Sequence, residues 1–369
     1  MASAGADGHA QKNTRLLAQS PHNIRIPKWK IACFCEIPTY GPRMAVYTEV
    51  DDEALADFLL RYDIGEAIAF KGIAEGVENS NYLLETTKAR FILTLYEKRV
   101  NADDLPFFMG VMEALADAGF PAPLPVKARD GSALQELNER PAAIVTFLNG
   151  MSPRKPNASQ CQQIGAAMAR MHNALASTTL SRPNDLSVDA WPELFEGREA
   201  TAATLAPNLA TLIAGDLDRL LDQWPDPEDL PQGIIHADLF PDNAFFLGEN
   251  FSGVIDFYFA CTDMLAYDIA IALNAWCFEA RGEFNMTKGR ALLAGYTSVR
   301  DFTDAEVKAL PALIHGAAMR FFLTRLVDWT DTPADALVRP KDPTEYAEKL
   351  GFHRMARKLE DYGYMPASS

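Results

Sequence analysis

The chain has 369 residues, 48% of them hydrophobic, and sets 34 Lys and Arg against 50 Asp and Glu for a net charge of −16. That is enough chain for a substantial core, with no run of about 18 apolar residues that would span a membrane and the wrong overall sign for a general nucleic-acid binder. Cys33, Cys35, Cys161, Cys261 and Cys277 are dispersed and odd in number, which points to reduced thiols in a cytoplasmic protein and away from a disulfide framework or a zinc site.

Residues 1–43 are polar and broken by Pro21, Pro27, Pro38, Gly41 and Pro42; they are expected to be a disordered extension, with Met44 as the natural start. From Thr48 the pattern sharpens. Thr48 and Asp51 can cap a helix whose apolar face is Leu55, Phe58, Leu59 and Tyr62. Strand-like runs follow at 67–73, 81–86 and 90–97, the last two joined by a polar turn at Thr87 and Lys88, so a small antiparallel sheet is expected. A helix over 104–118 ends at Gly119, a Pro-rich connector runs over 121–125, and another strand is read at 142–148.

Asn149-Gly150 marks the expected boundary between a first lobe, 44–148, and a second, 149–369. The second reads as mainly helical, with Ile164, Met168, Met171 and Leu175 on one stripe and a further helix over 209–224. Prolines over 225–231 interrupt it, and 233–257 supplies two short apolar strands around polar residues before helix resumes near Asp268. The expected fold class is therefore α+β, a small antiparallel sheet followed by a larger helical lobe.

The chemistry is concentrated in that island. His236-Ala-Asp238-Leu-Phe-Pro-Asp242-Asn243 has the H-x-D-x-x-x-x-N spacing of a kinase catalytic loop. Asp238 can accept a hydrogen bond, and then a proton, from an attacking hydroxyl, whereas the amide oxygen of Asn243 is a hard ligand suited to magnesium. Asp256 ends the apolar run Gly253-Val-Ile and sits where a kinase places its metal-binding aspartate. His236 is read as supporting the loop. Each residue alone could merely make a turn or a cap; their order after a β-rich segment favours phosphoryl transfer. Tyr258 replaces the glycine of the usual D-F-G, which argues against a protein kinase.

The loop, Asp256 and the lobe order resemble the aminoglycoside phosphotransferase-like kinases, a two-lobed protein-kinase-like family, from about Met44 to the C-terminus. Gly72-Ile-Ala-Glu-Gly76-Val-Glu-Asn-Ser80-Asn81-Tyr82, Phe91 to Lys98, and Phe257-Tyr-Phe-Ala-Cys-Thr-Asp263 resemble its homoserine kinase branch. The resemblance implies ATP and Mg2+ as cofactors, L-homoserine as acceptor and O-phospho-L-homoserine as product, on the way to threonine. It also implies a phosphate-facing loop at Gly76, Ser80 and Asn81 and an adenine-facing linker at Phe147 and Leu148. Thr94 stands where related kinases commonly carry a phosphate-binding lysine; Lys98 and Glu113 are the nearest charged candidates, or else surface charges.

A zwitterionic acceptor needs partners for both its charges. Asn274, Arg320 and Arg325 are candidates, with structural ion pairs as the competing reading of the two arginines. Asp268, His172, His315 and Trp276 read as fold-stabilising or core residues. A choline-like, aminoglycoside or sugar kinase would share the same loop, and a nonenzymatic nucleotide-binding regulator stays open because of Thr94. A basic group beside an acidic one in the acceptor pocket would favour homoserine.

Overall fold

Asp51 accepts a hydrogen bond from Ala54 N at 2.8 Å and so caps α1 (Asp52–Leu59), which turns Leu55, Phe58 and Leu59 inward. The computed structural model describes residues 48–73, 79–97, 101–280, 282–332 and 340–365. The expectations for residues 1–43, for Gly76 and for Lys98 lie outside the described residues.

Strands β1 (Ala67–Gly72), β2 (Ser80–Thr86) and β3 (Arg90–Leu95) precede α2 (Leu105–Asp117), and β4 (Leu134–Leu137) and β5 (Arg140–Thr146) complete one antiparallel sheet in the order β1-β2-β3-β5-β4. Strand β4 escapes sequence reading because it is four residues long. Its hairpin turns on Asn138 and Glu139, at φ 52° and 60°, a left-handed pair without the Asn-Gly signature that normally announces such a turn. Alternate sheet residues Leu84, Leu93 and Ile144 pack with Phe58 and Tyr62 in one core. On the other side α2 and Val145 join the core of the helical part.

That part comprises α3 (Ala158–Leu175), α4 (Trp191–Phe195), α5 (Glu199–Leu205), α6 (Leu209–Gln223), α7 (Leu265–Trp276), α8 (Met286–Thr297), α9 (Asp304–Asp331) and α10 (Thr344–His353). Two ribbons interrupt it: β6 (Gln232–Ile235) with β9 (Cys261–Met264), and β7 (Ala244–Leu247) with β8 (Asn250–Val254). The two strands expected over 233–257 are thus three, and β9 follows as the partner of β6. Helix α9 is long and apolar enough to cross a membrane by length and composition, but 78% of its apolar window is buried inside the protein; it is a core helix.

Candidate active site

The candidate catalytic loop is the connection from β6 to β7, and it is held from below. Asp268, on the first turn of α7 and wholly buried, accepts from His236 N at 3.0 Å and Ala237 N at 2.9 Å, while its Oδ2 also meets His172 Nε2 at 3.0 Å. His172 Nδ1 in turn lies 3.0 Å from the Tyr296 hydroxyl. Burial alone would push the Asp268 carboxyl up, but the hydrogen bonds and charges of His172 and His236 outweigh it and leave the group below its ordinary range. Two amides aimed at one carboxylate force Ala237 to φ 59°, a left-handed backbone that costs a non-glycine residue about 1–3 kcal/mol. Trp276 adds a second brace from the end of α7, its indole N–H donating to Leu239 O at 2.8 Å.

The loop is also stitched to β8. His236 Nε2 lies 3.0 Å from Ile255 O, and Ile255 N donates to Asn243 O at 2.9 Å. Asn243 Nδ2 donates to Asp238 O at 2.9 Å and to Asp238 Oδ2 at 3.3 Å. Asp256 follows Ile255 directly and is itself left-handed, at φ 67°. His236, Asp238 and Asn243 therefore form one hydrogen-bonded unit, stitched through Ile255 to the position before Asp256. With the amide nitrogen of Asn243 spent on Asp238, its amide oxygen is the atom left for a metal. An amide oxygen and one carboxylate are a hard pair of donors that suits magnesium, which takes few protein ligands and completes its shell with phosphates and water. Burial pushes the Asp238 carboxyl up to about 8, Asp256 adding to the rise and Arg320 and Lys341 opposing it.

Gly253 shows how closely β8 passes under the connection between sheet and helices. A Cβ there would stand 2.5 Å from Pro121 O and 2.7 Å from the Leu148 side chain, and the backbone is at φ 152°. Leu148 thus lies against β8, while Phe147 carries the Arg90 guanidinium 4.4 Å over its ring.

The sheet reaches the Asp256 loop through hydroxyl groups. The Tyr96 and Tyr258 hydroxyls are 2.9 Å apart, Thr94 hydrogen-bonds Tyr258, and Thr94 Oγ1 donates to Asn81 Oδ1 at 2.8 Å. Residue 94 is therefore wired to the position that replaces the D-F-G glycine. Ser80 Oγ donates to Glu97 Oε1 at 2.6 Å, and Glu97 pairs with Arg140 at 3.2 Å. Glu113 pairs instead with Lys127 at 3.1 Å on the surface.

The three acceptor candidates part company. Asn274 is fully buried, with Nδ2 donating to Ala270 O and Ile314 O and Oδ1 engaged by His353. Arg325 pairs with Glu345 at 2.6 Å and also donates to Asp342 O, so the structural reading describes it. Arg320 lies beside the catalytic loop, its Nη1 donating to Ala237 O at 3.2 Å. Sequence reasoning read Asp268, His172 and Trp276 as fold-stabilising or core residues, as they are, but did not tie them to the loop. Asp268, His172 and Trp276 sit on apolar helical stripes, and no local spacing links them to a loop some 30 or more residues away in the chain.

Residues 69–302 match the family described as "Phosphotransferase enzyme family". Homoserine kinase of Hyphomonas neptunium is 58% identical over 327 residues, covering 87% of this chain and all of the relative. That of Bradyrhizobium diazoefficiens is 58% identical over 325 residues, covering 88% and 99%. The chain belongs to the homoserine kinase family. A solved microcompartment-associated aminopropanol kinase superimposes with a TM-score of 0.62 at 20% identity, over 85% of this chain and 99% of that one. The family fold is thus protein-kinase-like, an N-terminal five-stranded antiparallel sheet followed by a mainly helical part, as the resemblance implied.

Proposed function

We propose that the unit built from Asp238, Asn243 and Asp256 transfers the γ-phosphoryl group of ATP to the side-chain hydroxyl of L-homoserine, giving ADP and O-phospho-L-homoserine. Membership of the homoserine kinase family gives the reaction, and the loop geometry supports the roles of the residues. The observation that carries the assignment is the Asn243 amide nitrogen, which is committed to Asp238 five residues away and so leaves the amide oxygen as the group available to a metal.

Asp238 accepts the hydroxyl hydrogen bond and orients the oxygen for in-line attack. As the new O–P bond forms and the bond from Pγ to the bridging oxygen breaks, the alcohol proton passes to the Asp238 carboxylate and ADP departs. Burial raises the Asp238 carboxyl, so once ionised it is a stronger base than an ordinary aspartate, and the carboxylate form that accepts the proton gains with rising pH. Asn243 and Asp256 would hold magnesium, which supplies charge neutralisation across the β- and γ-phosphates. Asn81 would face those phosphates, and Phe147 and Leu148 the adenine, whereas Ser80, expected in the same role, is fully buried with its hydroxyl donated to Glu97. Cys161, Cys261 and Cys277 are all free thiols, which fits a cytoplasmic enzyme.

The deciding experiment is phosphorus NMR of the protein with magnesium-ATP and L-homoserine, beside choline, an aminoglycoside and a control without acceptor. A phosphomonoester signal that needs homoserine and disappears in Asp238→Asn is the expected result. Signal with another acceptor alone would replace the substrate, and near-normal turnover in Asp238→Asn would remove that residue from the chemistry.

A further inference from the structure

L-Homoserine carries its hydroxyl three carbons from a carboxylate, and a site that recognised only the hydroxyl could not tell it from an amino alcohol. Beside the catalytic loop lies a cleft of about 270 Å³ lined in part by Asp104, Arg182, Asn184, Asp185, Tyr258 and Arg320. Its two arginines differ in kind. Arg182 is neutralised on the spot, with Nε 2.8 Å from Asp104 Oδ2 and Nη2 paired to Asp185. Arg320 is only 4% exposed, yet forms no ion pair among the described residues. Its protein partners are the Ala237 carbonyl, at 3.2 Å, and the aromatic faces of Phe321 and Phe259, at 4.0 and 5.5 Å.

A guanidinium has five N–H donors in a rigid fork, matched to the two oxygens of a carboxylate. The Arg320 charge acts on the Asp238 carboxyl, but no carboxylate lies at ion-pair distance from it among the described residues, and aromatic faces offset only part of the cost of taking a guanidinium out of water. Arg320 therefore reaches the cleft as a desolvated cation with most of its donors uncommitted, anchored one residue from Asp238. We propose that Arg320 grips the α-carboxylate of L-homoserine and so selects an amino acid over the corresponding amino alcohol. This inference rests on the homoserine kinase reading of the site. Arg182 with Asp104 and Asp185 (one positive against two negative charges) leaves that side of the cleft with one negative charge in excess, the acidic group beside a basic one that a zwitterion requires.

The test compares kcat/KM for L-homoserine and for 3-amino-1-propanol, which is homoserine without its carboxylate, in the wild-type enzyme, Arg320→Lys and Arg320→Gln. The wild type should prefer homoserine, and the preference should fall by about 100-fold in Arg320→Gln, chiefly through the homoserine KM, with a smaller fall in Arg320→Lys. Equal losses with both acceptors would overturn the proposal, because a guanidinium that served the phosphates or merely tuned Asp238 would not distinguish them. Should melting curves show both variants unfolded, the wild type decides alone: L-homoserine methyl ester should show a KM at least about tenfold above that of homoserine, and equal values would refute the carboxylate grip. Wild-type enzyme that phosphorylates no homoserine would instead remove the reading on which the inference stands.

Discussion

The two walls of the site are built from different materials. On the helical side, charge is gathered and braced: Asp256 and Ala237, the residue before Asp238, are held in left-handed conformations, and the buried Asp268 secures the loop through two amides while pairing with His172. On the sheet side, residue 94 is a threonine, and Asn81, Thr94, Tyr96 and Tyr258 form a chain of neutral hydrogen bonds. The contrast shows where electrostatic work is assigned. The helical side carries the proposed proton acceptor and metal ligands on a preorganised loop, while the sheet side positions the Asp256 segment without placing a lysine at residue 94.

Substitutions on the two walls should differ in size accordingly. The largest effect is expected from Asp238→Asn, which should lower kcat by about 10²–10⁴-fold with little change in melting temperature; a parallel loss of fold would mean the residue is structural. Asp268→Asn comes next. It removes the anion that three groups share and should destabilise the protein by about 3 kcal/mol in urea titrations, with activity falling alongside.

The pH dependence of stability tests the same brace. Because the folded Asp268 carboxyl lies below its ordinary value, it stabilises above the unfolded range near about pH 4, and that contribution is lost as pH falls through the folded value. His353 acts in the same direction: burial first, then the charges of His315 and Lys349, hold its imidazole well below its ordinary value. Wild-type stability should drop more steeply on acidification than that of Asp268→Asn, and matching slopes would show that Asp268 is not the group responsible.

Changes on the sheet side should be milder. Tyr258→Phe removes one neutral hydroxyl from the network and should cost about 1 kcal/mol, read as a roughly fivefold rise in the KM for magnesium-ATP. A loss comparable to that of Asp238→Asn would show that the hydroxyl chain carries more than position. The smallest effect belongs to Glu113→Gln. Its carboxylate pairs with an exposed Lys127, so nucleotide KM should move less than about twofold; a large increase would put Glu113 in the phosphate site after all.

Much of the site was written in short-range pattern. The spacing from His236 through Asn243 and the aspartate ending the next apolar run depend only on neighbours along the chain, because a catalytic loop is a local turn between two strands. The amphipathic face of α1, the β2–β3 hairpin and α2 were legible for the same reason, since alternation and helical period record which side is buried. Tertiary structure alone decided what a buried polar residue serves. Asp268 and His172 lie 96 positions apart in sequence, and only folding brings their side chains together under the loop. Nothing in local composition separates Arg320 from Arg325, five residues along the same helix. The first faces aromatic rings and the catalytic loop, the second a carboxylate on α10, and that difference exists only where α9 packs against its neighbours.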